Sequence, residues 1–210
     1  MGSEMCIRDR GMGALVLIYC WGYFDGTRRR LAMFAAQMVG FATAMFGLVA
    51  ADNFLLMYVF WEITSLLSYL LVSYYAERAS SRRAAQQALM VTALGGLTML
   101  MGIILLGRQT GAWTFSDISA YENFAQTPYV TVAIVLILAG ALTKSAIVPA
   151  HFWLPGAMAA PTPVSAYLHS AAMVKAGIYL VGRLAPSMYE VATWHVVVTV
   201  SYTHLTLPTN

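Results

Sequence analysis

Apolar residues run along this chain in long unbroken blocks, so that no side of the predicted helices is left polar. Residues 31–51, 54–75, 86–107, 128–150 and 164–184 each approach the roughly 20 residues that a helix needs to cross a bilayer core of about 30 Å. In lipid every backbone N–H and C=O must find its partner inside the protein. Continuous apolar runs meet that demand as helices, whereas barrel strands would alternate. The pattern therefore predicts an all-α, polytopic transmembrane helix bundle with five full spans. Partial helices flank them: GALVLIYCWGYF at 13–24 is too short to cross alone, and another apolar run begins at 191–200.

Polar punctuation supplies the orientation. DGTRRR at 25–30 and AERASSRR at 76–83 lie two crossings apart, while AADN at 50–53 carries only Asp52 and the loop 108–127 carries Arg108, Asp117 and Glu122. Because basic loops stay in the cytoplasm, segments 25–30, 76–85 and 151–163 are expected on that side. Ala36, Gly40 and Ala44, and likewise Gly95, Gly96 and Gly102, read as surfaces where helices approach closely. No segment recurs, so no inverted repeat is visible within this stretch.

Composition agrees with the pattern: 60% of residues are hydrophobic and 10% charged, against about 25% charged in soluble domains. The formal charge of +3 comes from arginines that flank spans, so it indicates topology and no nucleic-acid partner. Cys6 and Cys20 have neither metal spacing nor a disulfide framework. Without HExxH, CxxC, a Walker loop or a Ser/His/Asp arrangement, no enzyme chemistry, cofactor or metal centre is expected. MGSEMCIRDR is charged and does not read as a signal peptide. Together with SYTHLTLPTN it resembles translated sequencing-library adapters, which makes 1–10 an expected foreign leader and 201–210 a foreign tail. The functional reading rests on residues 11–200, an incomplete unit.

The placement of cations carries the candidate chemistry. Arginines occupy loops, span edges and the leader, whereas the two lysines, Lys144 and Lys175, both fall within apolar runs. Arginine keeps its proton under nearly all conditions, but a desolvated lysine can release one. Within FLLMYVFWEITSLLSYLLVSYY, Glu62 is more than two turns from either edge, with Ser65 and Tyr69 on its face at helical spacing. Its natural partner is a lysine on a neighbouring helix. A static pair that only fixes helix register is the competing reading. Asp52, at a helix end, reads as an interfacial cap or as support for a neighbour.

In ALTKSAIVPAHFWLP, Pro149 removes an amide donor and crowds the carbonyl of Ser145, and Pro155 and Gly156 end the segment. The helix is expected to break between Lys144 and Pro155, as helices do where transporters expose backbone to ions and water. PTPVSAYLHSAAMVKAGIYL then begins a helix, with Thr162 as N-cap and Pro163 in the first turn. His169 and Lys175, six residues apart or about 9 Å along the axis, suit two stations of a relay. His151 lies nearer the cytoplasmic edge. Either histidine also fits a hydrogen-bonded packing role.

FWEITSLLSYLL and TKSAIVPAHFWLPGAMAAPTPVSAYLHSAAMVKAGIYL resemble the antiporter-like membrane subunits shared by respiratory complex I and the Mrp-type multisubunit sodium/proton antiporters. Having both His169 and Lys175, the chain is most similar to the A-type subunits of the Mrp antiporters, since the complex I counterpart usually lacks a lysine at the position of Lys175. The resemblance covers residues 12–199. It implies that Glu62 is the family's key glutamate, Lys144 the lysine on the broken helix, and His169 and Lys175 the central-axis residues leading onward. It also implies a larger parent with a second, inverted five-helix unit. Proton translocation within a cation/proton antiporter of the bacterial plasma membrane is thus expected, with other membrane subunits, protons, sodium and lipid as partners and no catalysis by the chain itself. The alternative is a proton-pumping subunit of NADH:quinone oxidoreductase or of a membrane-bound hydrogenase.

Overall fold

The computed structural model describes residues 11, 13–20, 22, 28–75, 77–121, 124, 127–158, 160–189 and 191–206, without side chains at 28, 29, 169–171 and 202–206. Among them all regular structure is helical, apart from one isolated antiparallel bridge between Asn53 and Thr114. A helix at 13–20 (α1) precedes α2 (Arg28–Ala50), α3 (Phe54–Val72) and α4 (Ala79–Thr110). The short α5 (Phe115–Ser119) leads to α6 (Val130–Lys144), followed by a 3-10 turn (Ala150–Phe152) and α7 (Trp153–Ala157). α8 (Thr162–Ser165) continues through a π-helical segment, Ala166–Ala172, into α9 (Met173–Met188), and α10 covers Ala192–Thr206. Residues 1–10 of the expected leader and 207–210 of the expected tail lie outside the described residues.

Among the described residues, four helical segments are long and apolar enough to cross a membrane: Arg30–Ala50, Phe54–Tyr75, Ala79–Thr110 and Thr162–Met188. The fourth expected span, 128–150, differs. Its helix has 15 residues and stops at Lys144. The stop is a Schellman motif: Ile147 N–H donates to the carbonyl of Leu142 (3.0 Å) and Ala146 N–H to that of Thr143 (3.2 Å). Ala146 takes the left-handed conformation, φ 53°, that glycine usually fills. The helix has therefore ended before Pro149 could crowd the carbonyl of Ser145, and the expected clash does not arise. Trp153 Nε1 also donates to the Thr143 carbonyl (3.1 Å), so a helix end that faces the protein interior keeps its acceptors occupied.

Glycines set how closely the helices pack. A Cβ on Gly102 of α4 would lie 2.7 Å from the Ala133 carbonyl of α6, and one on Gly95 would lie 2.7 Å from Thr143 Cβ. On α2, Ala36 is exposed, so the expected stripe reaches a neighbour only at Gly40, against Leu67, and at buried Ala44. Outward-facing Val59, Ile63, Leu66 and Leu70 on α3, with Met90, Leu94, Leu97 and Met101 on α4, form exposed apolar ridges suited to lipid or to other membrane helices.

Two ends of the bundle are defined by contacts. At one, Arg30 pairs with Glu77 at 3.1 Å and Gly156 lies over Ala84 and Gln87. This gathers the segments around 30, 77–87 and 156. At the other, Asn53 caps α3 by accepting from Leu55 and Leu56 N–H, and Asp52 accepts from Ser116 Oγ (2.8 Å) and pairs with Arg183 of α9 (3.3 Å). Arg183 Nη1 also donates to the carbonyls of Ala51 (2.6 Å) and Val49 (3.3 Å), and Tyr179 OH donates to Val49 (2.8 Å). The carbonyls that α2 leaves open at its end are thus taken by α9.

Candidate functional site at the end of a broken helix

α3 buries Phe54, Met57, Trp61, Thr64 and Ser68 at spacings of three or four, with Ser65 beside them, so that they form one helical face. Three of them carry hydroxyls. In an apolar helix such hydroxyls bond back to the previous turn, and Thr64 and Ser65 both donate to the Trp61 carbonyl, at 2.7 and 3.2 Å. Their lone pairs remain available on the face that meets α6.

Lys144, the last residue of α6, is 0% exposed and reaches this face at the middle of α3. Its Nζ donates to the Trp61 carbonyl (2.7 Å), Thr64 Oγ1 (2.6 Å) and Ser65 Oγ (3.1 Å). An ammonium has three donors, and here all three are used. Nζ also lies 4.5 Å from the centre of a Trp61 ring, where the π face favours a cation. Without these partners the charge could not be sustained in a site that excludes water.

Glu62, partly buried, points elsewhere. Its Oε1 lies against Gly96 of α4, whose missing side chain makes the room, and has no hydrogen-bond partner among the described residues. Glu62 and Lys144 are close enough for their charges to interact, yet among the described residues no ion pair joins them. Ser65, expected on the carboxylate's face, belongs to the lysine's set instead. The step of about 100° between Trp61 and Glu62 thus separates a filled cation seat from a carboxylate whose Oε1 has no partner among the described residues.

Ser145, 5% exposed, donates from Oγ to the carbonyl of Val174 (2.8 Å). This ties the end of α6 to the turn of α9 that carries Lys175, which is half-buried. A Cβ on Gly177 would fall onto Ala141 O and Ser145 Oγ, so α9 meets α6 through bare backbone. His169 sits in the π-helical segment, and its side chain lies outside the described residues. The π turn alters the register, so an α-helical ruler does not give the separation of His169 and Lys175. α8 starts one residue earlier than expected, with Pro161 as N-cap and Thr162 already helical. His151 and Pro149 are exposed beyond the break, and the Val148–Pro149 peptide is cis.

Sequence reasoning missed Trp61 and Thr64 of the seat, and Tyr179 and Arg183 behind Asp52. A signal existed for each. Thr64, Ser65 and Ser68 follow Trp61 at helical spacing within WEITSLLS, and Tyr179 and Arg183 stand four apart on one helix.

A bundle of apolar helices, one of them ending at a fully buried lysine, defines a polytopic membrane-protein fold. The chain belongs to the family described as NADH:quinone oxidoreductase/Mrp antiporter, TM, which residues 51–207 match. It is accordingly a multi-pass protein of the bacterial plasma membrane. It is 44% identical over 195 residues to the Na(+)/H(+) antiporter A1 subunit of Staphylococcus aureus, covering 92% of this chain and 24% of that protein. With the protein of the same name from Staphylococcus epidermidis it shares 47% identity over 174 residues, covering 82% of this chain and 22% of the other. The Mrp complex from Dietzia sp. DQ12-45-1b contains a chain that superposes with a TM-score of 0.86 at 36% identity, over 95% of this chain and 22% of that one. The chain thus spans about a quarter of the length of the curated relatives it matches.

Proposed function

We propose that this chain forms the N-terminal proton-translocating unit of an A-type subunit in a multisubunit sodium/proton antiporter, with residues 11–200 as the working part. The observation that carries the reading is the Lys144 ammonium, 0% exposed on the last residue of an interrupted helix and held by Trp61, the residue next to Glu62. Names and structures of the relatives point the same way: two are sodium/proton antiporter subunits and one is a chain of an Mrp complex.

In this reading α6, the break and α7 together make the fourth of five crossings, and the end that gathers Arg30, Glu77 and Gly156 faces the cytoplasm. A proton enters from that side past His151 and the turn at Ser145 and Pro149. Glu62 and Lys144 exchange it as α6 shifts, His169 and Lys175 carry it onward along the bundle axis, and Asp52 steadies the far end. When Lys144 approaches Glu62 both charges are favoured, and when it approaches Lys175 like charges repel and one proton is released. The membrane potential contributes about 2.3 kcal/mol per charge per 100 mV, enough to bias such a step. Remaining subunits complete the path, and inward proton flow drives sodium out.

Glu62→Gln and Lys144→Ala in the full-length complex test this through sodium-dependent proton flux in inverted vesicles. Both are expected to abolish most transport. Near-normal flux in both would reject the reading.

A further inference from the structure

We propose that the oxygens around Lys144 Nζ are a seat for one monovalent cation, occupied in this structure by the lysine ammonium and taken by sodium when the lysine withdraws. The inference rests on the antiporter reading above and assigns the sodium-binding group. The Trp61 carbonyl, Thr64 Oγ1 and Ser65 Oγ converge on one point from a single turn of α3, at 2.7, 2.6 and 3.1 Å from Nζ. All three residues are at most 1% exposed, so whatever cation occupies the point has shed water on that side. Neutral oxygen donors are the ligands that a hard alkali ion takes. The Trp61 ring at 4.5 Å favours any cation. Glu62, the next residue, is turned toward Gly96, and its Oε1 has no hydrogen-bond partner among the described residues.

One seat cannot hold both cations. Exclusion of one by the other is what an exchanger needs, because sodium then enters only after the lysine has left with its charge. The fold offers the lysine somewhere to go. Its helix ends in the left-handed turn at Ala146, and an apolar cavity of about 270 Å³ borders Leu142, Ser145 and Ile147 on a face of α6 different from that of Lys144. Gly177 of α9 and Val197 of α10 also line that cavity, so the end of α6 has space beside it once the Ser145–Val174 hydrogen bond is released.

The test uses the assembled full-length complex in detergent and measures equilibrium binding of radiolabelled sodium above the wild-type level. Lys144→Ala empties the seat, and Lys144→Ser is a second emptying variant that keeps a polar helix end. Either is expected to gain one sodium site at least tenfold tighter than any the wild type shows at this position. Adding Thr64→Val and Ser65→Ala to the emptied seat is expected to weaken that site at least tenfold, the factor for losing a hydrogen-bonding oxygen from a charged partner. No gain in either lysine variant, or a gain that survives loss of both hydroxyls, overturns the inference. Loss of proton flux in Lys144→Ala without any gain in sodium overturns the seat and leaves the proposed function standing. Retained flux counts against the function itself.

Discussion

Thr64→Val keeps the shape of a residue that is 0% exposed and removes one oxygen, at 2.6 Å the shortest partner of the Lys144 ammonium. The remaining acceptors, the Trp61 carbonyl and Ser65 Oγ, are committed to the other two N–H groups, so one donor is left facing methyl groups. A hydrogen bond to a charged group contributes about 1.5–3 kcal/mol, which corresponds to a roughly 10- to 150-fold lower occupancy of the seat by the protonated lysine. If that occupancy is a step of transport, sodium-dependent proton flux in inverted vesicles should fall by about the same factor, normalised to assembled complex. Thr64→Ser restores the oxygen and should recover most of the flux. A Thr64→Val complex as active as the wild type would refute the reasoning, because it would mean that this contact is packing alone.

Four further outcomes are expected. Gly96→Ala puts a methyl where Glu62 Oε1 lies, so the carboxylate must turn away and flux should drop, with little added effect when Glu62 is already Gln. Gly177→Ala drives a methyl into the Ala141 carbonyl and Ser145 Oγ, and thermal unfolding of the complex should report a loss of about 1–3 kcal/mol, larger than that for Ser145→Ala. Arg183→Met strips the carbonyls of Val49 and Ala51 of a charged donor and should lower the unfolding temperature, by about 2 kcal/mol in equivalent terms. Asp52→Asn should cost well under half of that, since its side chain is 48% exposed and the ion pair is screened.

What the linear chain determined was the solvent and the kind of chemistry. Runs of some 20 apolar residues leave only membrane helices as a solution, because nothing in lipid can satisfy an open backbone. Two lysines and one glutamate inside those runs, set against arginines kept outside, mark the candidate charges by cost alone. A helix break after Lys144 was also legible from the Pro-containing segment that follows, although its cause was not. Termination depends on Ala146 turning left-handed and on Ile147 reaching back to Leu142, and alanine carries no local signature for that conformation.

Tertiary structure alone decided which groups meet. Glu62 and Lys144 attract each other as charges, which suggests a pair, but rotation of α3 by one residue sends the carboxylate to Gly96 and offers the ammonium Trp61, Thr64 and Ser65. Arg183 looked like a span-edge cation, yet the packing of α9 across the α2–α3 corner makes it the cap of α2. Such outcomes depend on helix rotation and on the depth at which α6 stops, both fixed by glycine contacts tens of residues apart. Hydrophobicity reports how much surface leaves water. Which neighbour receives each polar atom depends on the packed geometry.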